Sequence, residues 1–146
     1  SVRFLRKIQT AQFIVQNHTS KEFPFLDVLG NLRIRITYYS ALSRILFAED
    51  NVDRDFEEFI KPWDATLVEL GTLNSLQAFR QPAVKATLSG IFRDLRGFLS
   101  AIQSRKNFLM FFEWFYPNHM QVLCHALEAW SDDGLAIAIL KFFHEF

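Results

Sequence analysis

Val84, Leu88, Ile91, Leu95, Phe98 and Ile102 recur at steps of four, three, four, three and four. That period lays one unbroken apolar stripe along a helix of about five turns. A stripe of this length has to be covered by another element. Beside it Ala86, Gly90, Gly97 and Ala101 form a line of small residues. Glycine inside a helix costs about 1 kcal/mol relative to alanine, a loss recovered where a second helix packs at close range. Asp94 sits in the middle of that line between Arg93 and Arg96. An unpaired buried carboxylate is too costly to keep, so Asp94 is expected to accept hydrogen bonds from a neighbouring helix end or loop. A structural role is favoured over a catalytic acid, because no second acid or histidine is spaced to join it on that face.

Directly downstream runs Phe108, Leu109, Met110, Phe111, Phe112, Glu113, Trp114, Phe115, Tyr116 and Pro117. A helix apolar on nearly all sides is wrapped by protein or lipid. A membrane span needs about 20 mostly apolar residues; this run is shorter and carries Glu113, so a buried wedge between helices is expected.

Half of the 146 residues are hydrophobic, the formal net charge is zero, and seventeen are phenylalanine. Large rings fill the space between packed helices, and no alternating strand pattern appears, so the class is all-α. Neutral charge balance leaves no electrostatic footprint for nucleic acid, and no membrane segment is expected. The single cysteine, Cys124, excludes an internal disulfide and a zinc cluster. The chain starts at Ser1 without methionine and stops at Phe146 within an apolar run. It is expected to be one internal fragment, residues 1–146, with no separate second domain.

Along the chain, Arg3 to Gln16 reads as a helix ended by Asn17, with Arg3, Arg6 and Lys7 nearer solvent. Thr19 and Glu22 have capping-box spacing, and Phe23 to Gly30 reads as a packed loop. Asn31 is the expected N-cap of a helix to about Phe47, with Ile34, Tyr38, Ala41 and Ile45 inward and Leu42 and Leu46 widening the stripe. Glu49, Asp50, Asp53, Asp55, Glu57 and Glu58 lack the ligand alternation and glycine of a calcium loop; they complement a helix macrodipole. Phe56, Ile60, Trp63, Leu67 and Leu70 keep phase through Pro62, which predicts one helix from about Asp53 to Asn74 with a kink near Pro62. A loop around Phe79 and Gln81 leads to Pro82 at the first turn of the long helix. Pro117 is expected to open a further helix with Met120, Leu123, Leu127 and Trp130 inward, and Gly134 a last one.

Helix starts near Asn31, Pro82 and Gly134 are about fifty residues apart, with a second helix inside each interval. Antiparallel pairs at that spacing suggest a HEAT-like, armadillo-type solenoid, whose usual period is roughly 40 to 47 residues. The aromatic helix before Pro117 accounts for the surplus.

No chemistry stands out. His18, His119, His125 and His144 never pair at the three- or four-residue step of a helical metal site. His125 shares a polar side with Gln121 and Glu128 and reads as a solvated residue. Cys124 leans toward Met120 and Leu127 as a small hydrophobe, about 100° from its neighbour His125, too far round for a dyad. No phosphate loop or nucleophile elbow is present. The expectation is a non-enzyme without metal or cofactor, with Asp94, Gly90, Gly97, Pro62, Trp114 and Pro117 as structural positions.

One order of residues carries more. Lys85, Thr87, Leu88 and Gly90, then Arg93, Asp94, Leu95, Arg96 and Gly97, then Phe112, Glu113, Trp114, Tyr116 and Pro117, then Ala126, Glu128 and Trp130 resemble the exportin-seven and Ran-binding-protein-sixteen/seventeen branch of the karyopherin-β nuclear transport receptors. Tyr39, Ala41, Leu42, Arg44 and Leu46 extend the resemblance upstream, as do Ser1, Val2 and Arg3 leading to Gln12, Phe13, Asn17, His18, Thr19 and Ser20, so it covers essentially the whole chain. It implies part of an export receptor that binds Ran-GTP and protein cargo through HEAT repeats, meets nucleoporins, and shuttles between nucleus and cytoplasm through the nuclear pore. The alternative, from physics alone, is a helical scaffold for some other protein. The resemblance also implies that the second helix of each pair lines the concave side, here Ser1 to Gln16, Asp53 to Asn74 and Pro117 to Ser131. Arg3, Arg6, Lys7, Glu57 and Glu128 would then be candidate partner contacts. Two departures stand against it: the link from Leu26 to Leu32 is shorter and less polar than the family pattern, and the terminal repeats that carry much of Ran recognition are absent.

Overall fold

The computed structural model describes residues 32–48, 52–130 and 134–145. Seven helices, and no strand, occur among them: α1 (Leu32–Phe47), α2 (Val52–Gly71), α3 (Leu76–Phe79), α4 (Pro82–Ser100), α5 (Arg105–Phe115), α6 (Met120–Ala129) and α7 (Gly134–His144). The chain is all-α in this region. The expected helices at Arg3 to Gln16 and the loop at Phe23 to Gly30 lie outside the described residues.

α4 is the helix the others pack on. Pro82 occupies its first turn, where a missing N–H costs nothing, and its inner face buries Leu88, Ile91, Leu95, Phe98 and, in the small-residue line, Gly90 and Gly97. α1 lies along one side of it and α7 along another. A second layer is made by α2 and α6, which touch each other at their ends, Gly71 against Val122. α1 and α2 are antiparallel, as the ring contacts show: Tyr39 meets Trp63 at 5.0 Å and Phe59 at 6.2 Å, while Phe47 meets Phe56 at 6.5 Å.

α2 runs through Pro62 without a break. Asp53 and Asp55 occupy its first turn, where carboxylates face the positive end of the macrodipole. It closes three residues before Asn74, through turn bonds from the N–H groups of Thr72 and Leu73 to the carbonyls of Glu69 and Leu70. Between α2 and α4 the expected loop contains a single helical turn, α3. Ser75 caps it by accepting from the Ala78 N–H at 3.2 Å, and it carries Phe79 into the core.

Several faces differ from those periodicity suggests. On α1 the buried residues are Tyr39, Leu42, Ser43 and Leu46; Ile34 and Ala41 are exposed, and Tyr38 and Ile45 half-buried. The stripe is displaced by one residue because α4 and α2 take the Tyr39 side. α6 buries Val122, Leu123, Ala126 and Ala129, roughly a quarter turn from the expected Met120, Leu123, Leu127 and Trp130. Cys124 falls opposite that face and is exposed, rather than packed as a small hydrophobe. α5 is not wrapped on all sides. It fully buries only Phe111 and Phe115, while Leu109 is exposed. Pro117 does not start a helix: residues 116–119 form a turn with a cis Tyr116–Pro117 peptide bond, closed by the His119 N–H on the Phe115 carbonyl at 2.8 Å, and α6 begins at Met120.

Candidate functional site

Three features of the packed helices present polar groups: a charged clamp between α1 and α4, a histidine–aspartate contact between α2 and α5–α6, and a set of surface grooves.

The clamp forms because Gly90 and Gly97 let α1 come down onto α4. A Cβ on Gly97 would collide with the carbonyl oxygen of Ile36, and one on Gly90 would lie 2.8 Å from the Arg35 guanidinium. Between these contacts Arg35, in the first turn of α1, donates from Nε to Asp94 Oδ1 at 2.7 Å and from Nη2 to Oδ2 at 2.6 Å. This is the two-pronged geometry that suits a guanidinium to a carboxylate. Asp94 is buried, only 3% exposed. Burial pushes its carboxyl up to about 6, against the pull of the Arg35 hydrogen bond and charge. Tyr39 is raised as well, first by burial and then by the nearby Asp94 carboxylate. With both oxygens occupied by Arg35, Asp94 is poorly placed to serve as a proton donor or acceptor for a substrate.

The second feature was missed from sequence. Asp64 Oδ1 accepts from the Trp114 indole at 2.9 Å and lies 2.9 Å from Nε2 of His119. An ionised carboxylate only accepts, so Nε2 is the protonated nitrogen. His119 is buried, with its ring 5.2 Å from Trp114 and 6.1 Å from Phe115. Among the described residues no hydroxyl or thiol is hydrogen-bonded to this pair. The pair fastens the 116–119 turn to α2. The only signal available was composition, an aspartate and a histidine 55 residues apart, and that spacing carries no helical phase.

Two grooves lie toward the ends of α2 and α6. One, of about 520 Å³, runs between Leu67, Val68 and Thr72 on one side and Gln121, Val122 and His125 on the other. A smaller one, of about 180 Å³, is lined by Leu76, Phe79, His125 and Glu128 among others. His125 is half-buried, its ring 5.6 Å from Phe79, rather than freely solvated. Trp130 is anchored close by, donating its indole N–H to the Phe79 carbonyl at 2.8 Å with Lys85 Nζ 4.9 Å from its ring.

Asp94, Gly90 and Gly97 come together at the α1–α4 contact, and Trp114 joins the neighbourhood of Pro62 through Asp64. Glu57 and Glu128 are both exposed, but the structure does not bring them together: Glu57 is near the start of α2, about 20 Å along the axis from the Gly71 end that meets α6. Arg3, Arg6 and Lys7 lie outside the described residues.

Comparison with known proteins gives a consistent set of relatives. Exportin-7-A of Xenopus laevis is 36% identical over 152 residues, covering 99% of this chain and 14% of that protein. Ran-binding protein 17 of Homo sapiens is 37% identical over 151 residues, 97% of this chain and 14% of the relative. Exportin-7 of Dictyostelium discoideum is 35% identical over 134 residues, 91% of this chain and 13% of the relative. The chain therefore spans about a seventh of the length of the proteins it matches. No family model matches it, and no solved structure does.

Proposed function

We propose that this chain, which belongs to the exportin-7 and Ran-binding protein 16/17 branch, is an internal segment of a HEAT-like solenoid in a nuclear export receptor. Ran-GTP and protein cargo are the partners of the whole receptor, nucleoporins its contacts in the nuclear pore, and nucleus and cytoplasm its compartments. The observation that carries this reading is the colinear similarity: 36% identity across 99% of the chain.

The packing supports it. α1, α4 and α7 lie side by side in one layer and α2 and α6 in the other, the arrangement produced when helix pairs stack with nearest-neighbour contacts. Arg35 in the first turn of α1 meets Asp94, and Phe47 at its end meets Phe98, so α1 keeps contact with α4 along its length. α5 is then the extra element that stretches one repeat beyond the usual length.

A receptor of this kind works without an active site. Ran and cargo each favour one curvature of the stacked helices, and that shared dependence couples their binding. The second helices, α2 and α6, line the concave side in this reading, with Glu57 and Glu128 as candidate contacts and Arg3, Arg6 and Lys7 as further ones. Surface charges contribute little each, so a stretch this short holds a partner only together with the rest of the receptor.

The test is a pull-down of the full-length protein with Ran locked in its GTP state, against Ran in its GDP state. Selective capture of the GTP form supports the reading. Equal capture of both, or of neither, removes the receptor function and leaves a helical scaffold for other proteins.

A further inference from the structure

Arg93 and Arg96 of α4 and Lys141 of α7 line a groove of about 440 Å³ that also takes in Ile36 of α1 and Ile137 and Ala138 of α7. Three cations share this space, and none of its described lining residues is an acid, in a chain whose formal charge sums to zero. Asp94, the neighbour of Arg93 in sequence, is buried and has both oxygens taken by Arg35. Arg93 donates to the Ser89 carbonyl at 2.9 Å. Burial first, and then the nearby guanidiniums of Arg35 and Arg96, hold it below its ordinary value. Among the described residues Arg96 and Lys141 have no ion-pair partner, and Ile137 beside them is 58% exposed.

We propose that this groove binds an acidic peptide segment of a partner protein, with carboxylates on Arg96 and Lys141 and an apolar side chain against Ile36, Ile137 and Ala138. Charge complementarity selects the sign of the partner, and the apolar wall sets its register. A nucleic acid fits less well. The volume holds a few side chains rather than a length of backbone, and none of the described lining residues is an aromatic ring on which a base could stack. The groove lies on the α4–α7 contact, away from the α2–α6 layer invoked for Ran and cargo. Its occupancy therefore does not depend on the transport reading.

The experiment is fluorescence anisotropy on the whole chain with a labelled peptide carrying one leucine between two pairs of glutamates. The same peptide with lysines replacing the glutamates is the first control, and a thymidine oligomer the second. The acidic peptide should bind, the lysine peptide should not, and added salt should weaken binding. Arg96→Glu and Lys141→Glu should each weaken binding about fivefold, whereas Arg96→Lys and Lys141→Arg should stay within about twofold of the parent. Equal binding of both peptides, no binding of the acidic one, reversals without effect, or tighter binding of the oligomer would each overturn the proposal. The discrimination between the two peptides is read on the unaltered chain, so it holds even if a reversal variant unfolds.

Discussion

Along the α1–α4 contact two backbones nearly touch, with the Ile36 carbonyl in the space a Gly97 side chain would need. On the other side of α4 the spacing is set by rings. Phe98 lies 5.2 Å from Phe59, 5.4 Å from Trp63 and 6.2 Å from Phe56 of α2 and 6.0 Å from Phe111 of α5, with Phe47 from the far end of α1 joining the cluster at 5.5 Å. One helix thus meets its neighbours by opposite means. Where it carries glycine, the neighbour is located by the absence of atoms and fixed by one ion pair; where it carries phenylalanine, α2 and α5 are located by bulk. The first contact should be intolerant of added atoms and the second of removed ones.

The largest effect belongs to the ring side. Phe98→Ala leaves five rings around a void and should cost about 4 kcal/mol, measured as a lowered urea midpoint at constant slope. A loss under about 1 kcal/mol would mean that the cluster closes up and that bulk is not what spaces these helices.

On the glycine side the ion pair comes next. Asp94→Ala strands the Arg35 guanidinium; breaking a fully buried pair costs roughly 3–5 kcal/mol. The Arg35 side chain is 24% exposed and finds some water, so about 2 kcal/mol is expected at neutral pH. The same residue gives a pH signature. Its carboxyl rises from 3.8 to about 6 in the fold, so between those values the folded chain holds a proton that the unfolded chain has released. Stability should therefore fall as pH rises from about 4 to about 6, and the slope contributed by this residue should vanish in Asp94→Asn. Unfolding midpoints across that range, with the same slope in parent and variant, would rule out Asp94 as the source.

The smallest effect is expected at Ser43, buried on α1 with its hydroxyl lacking a hydrogen-bond partner among the described residues. Ser43→Ala removes that unmet group and should stabilise by about 0.5 kcal/mol. A clear loss would mean that the hydroxyl has a partner and that this stretch of α1 is less purely steric.

How far the sequence led differs in the same way. The α4 stripe, the phase through Pro62 and the starts at Pro82 and Gly134 could be read directly, because long apolar periods and end signals are local. The facing of α1 could not. Tyr38 and Tyr39, like Ile45 and Leu46, are adjacent residues of equal apolarity, and only the neighbours decide which set turns inward. On α6 the alanines at 126 and 129 are buried while the larger Met120 and Leu127 stay partly exposed, since close packing there favours small side chains over hydrophobic ones. The Ser75 cap could have revealed α3, but a single turn leaves no period. Asp64 and His119 meet only through the tertiary fold. The family resemblance needed none of these details, because it rests on residue order.

The most direct test of the packing compares two alanines on the same helix face. At Gly90 a new Cβ meets the far end of the Arg35 side chain, which can shift; at Gly97 it meets backbone. Gly90→Ala should be near neutral, the gain in helix propensity of about 1 kcal/mol offsetting the shift, whereas Gly97→Ala should lose about 3 kcal/mol as α1 is pushed off α4. Equal urea midpoints for the two variants would contradict the close approach at Gly97 and, with it, the way α1 is placed on α4.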